Sequence, residues 1–400
     1  MAERLAFLHR MWRLVPQRLR RAALQTASRI AAPRPNRPPP ATSLGVQIVG
    51  EMGRISGLGE AARLLHSGVA ALHADAGAIE LAIGHRPAPA HPVAGAALIL
   101  HVNAPSLPLL LARAPHDFLR GRRVIGFWNW EIETVPAAWH KNTDFVHEVW
   151  APTGFTATAL DAIMPGRVRV VPYPLAATLV PAMADRAALG LPDGTVVVTV
   201  IANLGASFTR KNPLGAIASF RAAFGDRPDR LLLLKLVGAS LFPRDLAQIR
   251  DAIGASPNIR LIDATWTGAE MRTLLASSDI LLSLHRAEGF GLVPAEAMLR
   301  GIPVIATGWS GSMQFMNEQS AALVPYRLVP VIEQRGDYAV SGARWAEPDH
   351  DAAVHWLRRL ADDPVERASL AARGKAYASS SLTLDPLATA LQSCGIARLD

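Results

Sequence analysis

The stretch that most constrains this fold runs from 280 to 307, ILLSLHRAEGFGLVPAEAMLRGIPVIAT. An apolar run at 280–284 ends in polar His285 and Arg286. A turn holding Glu288, Gly289 and Gly291 follows, and a helix-like piece leads to a second apolar run at 303–306. Strand, turn, helix, strand is the repeating unit of a parallel sheet. Ligands of such sheets lie outside the carboxyl ends of the strands, where Glu288 falls. Glu296 stands about one turn into a helix that starts near Leu292, and so can face the same crevice. Two carboxylates then flank a helix N-terminus whose free N–H groups suit phosphate, while carboxylates accept hydrogen bonds from sugar hydroxyls. Together they suit a nucleotide-sugar.

Apolar runs recur on both sides of this stretch. In the first half they fall at 44–49, 78–83, 96–102, 124–128, 148–151 and 168–171, with helical stretches near 105–119, 136–145 and 154–163. In the second they fall at 196–202, 231–237, 259–262, 280–284 and 304–306, with helical pieces near 212–224, 244–254, 269–277 and 292–300. Such alternation predicts α/β architecture with doubly wound parallel sheets. The length of 400 residues exceeds what one core usually serves, so two domains are expected. The Pro- and Gly-bearing stretch 172–193 is the expected hinge. The divisions are 1–41 as an arm and linker, 42–180, 181–380, and a last helix in 381–400 crossing back to the first domain.

The string Glu288-Gly289-Phe290-Gly291, with Glu296-Ala297-Met298, Gly301-Ile302-Pro303-Val304-Ile305-Ala306 and Gly308, resembles the signature of the retaining, GT-B-fold glycosyltransferases. That large family includes sucrose synthase and many bacterial mannosyltransferases. The resemblance implies two Rossmann-like domains facing a cleft, the second binding the donor. It implies transfer of a hexose from a nucleotide-sugar to a glycan or lipid-linked acceptor in cell-surface or exopolysaccharide synthesis. Glu288 would be the catalytic carboxylate on the sugar hydroxyls and Glu296 the ribose ligand. His285, Gly289, Phe290, Gly291 and Leu292 would complete the donor wall. No metal and no other cofactor is implied, since protein cations serve the diphosphate.

Three further strings bear on the site. Gly57-Leu58-Gly59-Glu60-Ala61-Ala62 fits G-x-G-x-x-A with Glu80 about twenty residues on, which leaves an NAD-dependent Rossmann enzyme open as a rival. In the resembled family such glycines let the backbone approach the donor phosphates. Arg210-Lys211-Asn212-Pro213 closes the loop after 196–202 and opens a helix. Cations at a helix N-terminus oppose the dipole, so their presence there suggests a shared anion. The family's arginine usually lies about five residues earlier, at Ala206 here, and Arg210 substitutes. Gly126-Phe127-Trp128-Asn129-Trp130-Glu131 ends a first-half strand where many relatives place a histidine. WxWE-like strings are found among exopolysaccharide mannosyltransferases, which favours GDP-mannose and leaves UDP-hexoses open. Trp128, Trp130 and Glu131 form a candidate acceptor or sugar wall, or else the indoles pack between domains. His101 and Asn103 end another strand and join the candidates. Asp349-His350-Asp351 looks like a D-x-D metal motif but precedes a helical run, where acids cap; no metal site is expected.

The formal charge of +8 is localised: residues 1–40 hold nine Arg and one acid, Glu3, leaving 32 basic and 32 acidic residues beyond. The globular part is neutral, which argues against nucleic acid as a partner. Leu5, Leu8, Trp12, Val15 and Leu19 make one helical stripe opposite Arg10, Arg13, Arg20 and Arg21, with Pro16 a break. A basic amphipathic helix over 1–30 suits an anionic membrane surface; a transit peptide and a basic tail are the alternatives. APRPNRPPPA at 32–41 reads as an extended linker. The single cysteine, Cys394, excludes an internal disulfide and fits a reducing, cytoplasmic setting, peripheral on the inner membrane face. A non-catalytic nucleotide-sugar-binding subunit stays open beside the enzyme readings.

Overall fold

A computed structural model describes residues 17–42, 44–72, 75–81, 92–336 and 338–396. The first half builds a sheet from β1 (Leu44–Gly50), β2 (Ala76–Glu80), β3 (Ala96–His101), β4 (Val124–Phe127), β5 (Glu148–Ala151) and β6 (Val168–Val170). Their order is β2-β1-β3-β4-β5-β6 and every pairing is parallel. The second half repeats the plan with β7 (Val196–Asn203), β8 (Arg230–Val237), β9 (Ile259–Asp263), β10 (Ile280–Ser283), β11 (Val304–Thr307) and β12 (Ala322–Val324), in the order β12-β11-β10-β7-β8-β9, again parallel throughout. Both are doubly wound sheets, as expected. The order reverses between β10 and β7, and a crevice opens at such a reversal.

Burial explains why these strands read as unbroken apolar runs. In β8, Leu232, Leu234 and Leu236 enter the cluster that holds Phe220 and Ile249, while Leu231 and Leu233 enter another with Leu274 on the opposite face. A strand covered on both faces has no polar side to show. The helices that supply the cover include α1 (Gln17–Ala31), α2 (Gly57–Leu72), α3 (Gly154–Asp161), α4 (Pro213–Phe224), α5 (Pro243–Ile253), α6 (Gly268–Ala276), α7 (Leu292–Leu299), α8 (His350–Asp362), α9 (Pro364–Ser381) and α10 (Asp385–Ser393). One apolar cluster joins the halves: Ile48 and Leu65 of the first, Tyr173, Phe290 and Met298 at the junction, and Leu387 and Leu391 of α10. Helix α10 packs against the first half. Its Leu387 lies against Gly68 of α2, and the Cys394 thiol donates to Glu148 at 3.0 Å.

Several expectations need correction. The helix expected over 105–119 is only a turn, Leu107–Leu111, because Pro115 stops the ladder. The expected linker at 32–41 is docked. Ala32 is buried in the first-half core, and the Arg34 guanidinium lies 3.8 Å from the Phe145 ring centre. Asn36 accepts from Gly121 N at 2.7 Å and meets His147 at 2.7 Å through its carbonyl. Most of the apolar stripe in the arm (Leu5, Leu8, Trp12, Val15) lies outside the described residues. Helix α1 begins just after Pro16, and its Leu19, Leu24 and Ile30 are exposed. Beyond Tyr326 the sequence missed a hairpin, β13 (Tyr326–Pro330) with β14 (Arg344–Pro348). No described helix is long and apolar enough to cross a membrane.

Candidate functional site

Strand β10 delivers the chain to the crevice through three residues that act as brackets. His285 is fully buried, its Nδ1 3.1 Å from Ser283 Oγ and its Nε2 near Trp309 O and Ser312 Oγ. Burial holds its pKa down to about 4, so the ring is neutral. It fixes the loop after β11 and offers no edge to a donor, which corrects its expected place in the donor wall. Arg286 grips Glu347 of β14 bidentately at 2.7 and 2.9 Å and donates to Thr209 O at 2.6 Å. The hairpin is thereby tied to the loop after β7.

Glu288 follows, its amide donating to Ser310 Oγ at 2.8 Å. Its carboxylate takes Arg210 Nη1 at 3.2 Å and Lys211 Nζ in close contact, with only 9% of the side chain exposed. Burial alone would raise its pKa, but Lys211 and then Arg210 pull it down to about 2. Arg210 also donates to Ala287 O at 2.6 Å and Ala206 O at 2.8 Å, and stands 3.9 Å from Glu131. The Tyr338 ring, from the hairpin loop, lies 5.9 Å from its guanidinium. Burial raises the Glu131 pKa against the pull of Arg210, and the Tyr338 hydroxyl bonds this carboxylate. Two cations and two carboxylates thus meet between the ends of β4, β7 and β10.

The local geometry corrects the reason for the cations. Arg210 and Lys211 do not open a helix; they occupy the last turn of a short one, Phe208–Lys211, where the dipole favours them. Asn212, in the left-handed region at φ 51°, then caps α4 through Gly215 N. Their counter-charge is Glu288. Gly291, at φ 95°, starts α7 with no side-chain cap, so the first turn of that helix is open at Leu292 and Val293. One turn on, Glu296 pairs with Arg300 at 2.7 Å, about a quarter exposed, and Arg300 donates to Val180 O at 3.1 Å.

The other expected residues divide. A Cβ on Gly289 would meet Trp130 O at 3.0 Å, and Gly289 O accepts from Thr153 and Thr156, so this turn is a seam between halves. Phe290 packs edge-on to Tyr173 at 5.1 Å. Gly57 and Gly59 lie in the first turn of α2. Gly59 is required by the chain itself, since a Cβ there would strike Arg54 O at 2.1 Å, while Gly57 faces open space. Glu80 accepts from Gly53 N at 3.1 Å and steadies the preceding turn.

Trp128 is wholly buried, edge-on to Trp139 at 5.8 Å, and presents no face to a sugar; that assignment is corrected. Trp130 packs on Trp139 and on Tyr338 at 5.4 Å, the interdomain alternative. His101 is buried with Nε2 2.8 Å from Tyr173 OH and its pKa lowered to about 4 by burial, so it braces the strand end and does not reach the crevice. Asn103 accepts from Asn129 N at 2.8 Å and braces the WNWE turn. Asp349 caps α8 through Ala352 N at 2.9 Å, as expected. Sequence reading missed Tyr338, Arg286 and Ser310. Only Ser310, in a Ser-Gly-Ser turn after a strand, carried a local signal.

Residues 173–375 match the family described as "Family 4 Glycosyltransferase in conflict systems". Over 201 residues the chain is 29% identical to the GDP-mannose-dependent monoacylated alpha-(1-6)-phosphatidylinositol monomannoside mannosyltransferase of Corynebacterium glutamicum. That alignment covers 48% of this chain and 45% of the relative, so the chain spans about half the length of the curated protein it matches. Anabaena HepE, solved with UDP and glucose, superimposes over 88% of this chain and 100% of its own with a TM-score of 0.63 at 15% identity. A glycosyltransferase from Rickettsia africae covers 88% and 97% with a TM-score of 0.61 at 13% identity. At these identities the likeness fixes the fold, which is GT-B.

Proposed function

The chain belongs to the family 4 glycosyltransferases, in the group described as those of conflict systems, and we propose that it moves a hexose from a nucleotide-sugar to an acceptor hydroxyl with retention at the anomeric carbon. The observation that carries this reading is the buried Glu288 carboxylate held by Arg210 and Lys211 at the reversal between β7 and β10. These cations suit a leaving diphosphate, together with the open first turn of α7. Glu288, released from them, would face the sugar hydroxyls, and Glu296 the ribose diol. Glu131 and Tyr338 close the acceptor side, with the seam at Trp130 and Gly289 excluding water. Because protein cations neutralise the diphosphate, the reaction proceeds without a metal.

Mannose from GDP-mannose is supported by the Corynebacterium relative, and a UDP-hexose by the ligand of Anabaena HepE. The acceptor is a glycan or lipid-linked sugar of cell-surface or exopolysaccharide synthesis. Contact with an anionic membrane on its cytoplasmic face is supported by the net +8 of residues 1–40 and by exposed Leu19, Leu24 and Ile30 on α1. Calorimetry with GDP, UDP and NAD tests the donor reading: binding of GDP or UDP without NAD is expected. Binding of NAD alone would move the chain to the rival Rossmann reading. Nucleotide-sugar binding with no hydrolysis or transfer would make it a binding subunit.

A further inference from the structure

Lys235 is a buried cation that the diphosphate site leaves unused. It sits near the carboxyl end of β8, on the face shared by Leu231, Leu233 and the partly buried Trp266. The residue is 1% exposed, and its ammonium donates to Leu236 O at 2.6 Å and to Ala264 O just past β9. The centre of the Trp266 ring lies 5.3 Å from Nζ. Among the described residues no carboxylate stands within ion-pair distance; Asp263 and Glu270 act on it only from farther away. A leucine or methionine would fill this place without the desolvation cost of a charge.

We propose that Lys235 and Trp266 form the base-recognition end of the nucleotide site, and that they select an oxo base, uracil or guanine, over the amino bases cytosine and adenine. The inference rests on the nucleotide-sugar reading above. With the diphosphate between β7 and β10, the nucleoside can extend in two directions. Toward β11 the way leads to Trp309, which packs on Phe155 of the first half at 5.1 Å. The other way, two strand spacings or about 10 Å, ends at the edge of β8 and β9. Helices α6 and α7 line this same face, since Leu275 shares a cluster with Ala295 and Met298. The residues over the edge, Asp263, Ala264 and Thr265, are exposed, and Trp266 is half-buried.

Two of the three ammonium N–H groups are spent on carbonyls, and the third has an indole face before it. An arriving base exchanges that indole cover for its own edge and stacks on Trp266. Uracil O4 and guanine O6 accept from the ammonium, whereas cytosine and adenine present an amino donor at the same position and are repelled.

Calorimetry of the full chain with UDP, GDP, CDP, ADP and inorganic pyrophosphate tests this. The wild type should bind UDP or GDP at least about tenfold more tightly than CDP and ADP, the worth of one hydrogen bond from a charged donor. Lys235→Met should bring the four nucleotides together and leave pyrophosphate unchanged; Trp266→Ala should weaken all four alike. Equal affinity of the wild type for oxo and amino bases overturns the proposal without using a variant, as does a preference that survives Lys235→Met. If pyrophosphate binds but no nucleoside diphosphate gains over it, the base site is wrong. If nothing phosphorylated binds, the nucleotide-sugar reading fails with it.

Discussion

Replacing Glu288 by glutamine should tighten the binding of a bare nucleoside diphosphate while abolishing transfer. This carboxylate occupies both cations proposed for the diphosphate, at 3.2 Å from Arg210 and closer to Lys211, with 9% of its side chain exposed. A hydrogen bond to a charged group contributes about 1.5–3 kcal/mol net, and binding must break such bonds before it makes its own. The amide of Glu288→Gln removes the charge, and with it the repulsion of a second anion, at nearly constant shape. A gain of about 1.5–3 kcal/mol corresponds to roughly 10- to 150-fold in Kd. Calorimetry of GDP and UDP against both proteins reads it directly. Equal or weaker binding by the variant would show that Glu288 does not compete for the diphosphate site.

The same pair sets an acid dependence. The Glu288 carboxylate is held at about 2, below the 4.5 of a free glutamate, so its folded pKa is depressed. Its contribution is therefore complete above about pH 4.5 and is lost as pH falls through about 2. That is on the order of 3 kcal/mol, which Glu288→Gln should not lose over this window.

Four further outcomes follow from the site and the arm. Glu296→Gln should weaken nucleotide-sugar binding about tenfold with little change in turnover, because an acceptor-only group on a diol becomes an amide; unchanged KM with lowered kcat would move Glu296 onto the reacting sugar. Transfer activity should survive EDTA; loss in chelator restored by Mn²⁺ or Mg²⁺ would turn attention to Asp349 and Asp351. A chain beginning at Thr42 should lose the Arg34, Asn36 and Ala32 contacts and melt lower, by about 2–3 kcal/mol of stability. A chain beginning at Gln17 retains six of the nine arm arginines and the exposed Leu19, Leu24 and Ile30, so it should keep most of its salt-sensitive binding to anionic vesicles; loss of that binding would move the anchor to residues 1–16.

How far the sequence led differs from element to element. The central strands were legible because burial on both faces leaves an apolar run with abrupt ends: 148–151 coincides with β5, and 280–284 overshoots β10 by one residue. The placing of Glu288 just before α7 and of Glu296 one turn into it was legible as spacing within one strand–turn–helix unit. What failed was anything set by partners distant in sequence. Arg210 and Lys211 looked like cations misplaced on a dipole because Ser207, at φ 73°, starts a short helix that propensity does not signal. Trp128 and His285 looked like site residues because their polar or aromatic character shows in sequence, whereas the neighbours that bury them, Trp139 and Ser312, come from other elements. Tyr338 reaches the site from a hairpin loop with no periodic pattern. The docking of 32–41 was hidden because a proline-rich segment reads the same whether it is solvated or lies against a core.

The most direct test of the account is a crystal structure of the protein with UDP or GDP bound. Phosphate oxygens should lie within hydrogen-bond distance of Lys211 Nζ and of the first-turn N–H groups of α7, with the ribose on Glu296 and Glu288 moved off Lys211. A nucleotide seated instead at Gly57 and Gly59, with the Glu288–Lys211 pair intact, would contradict it.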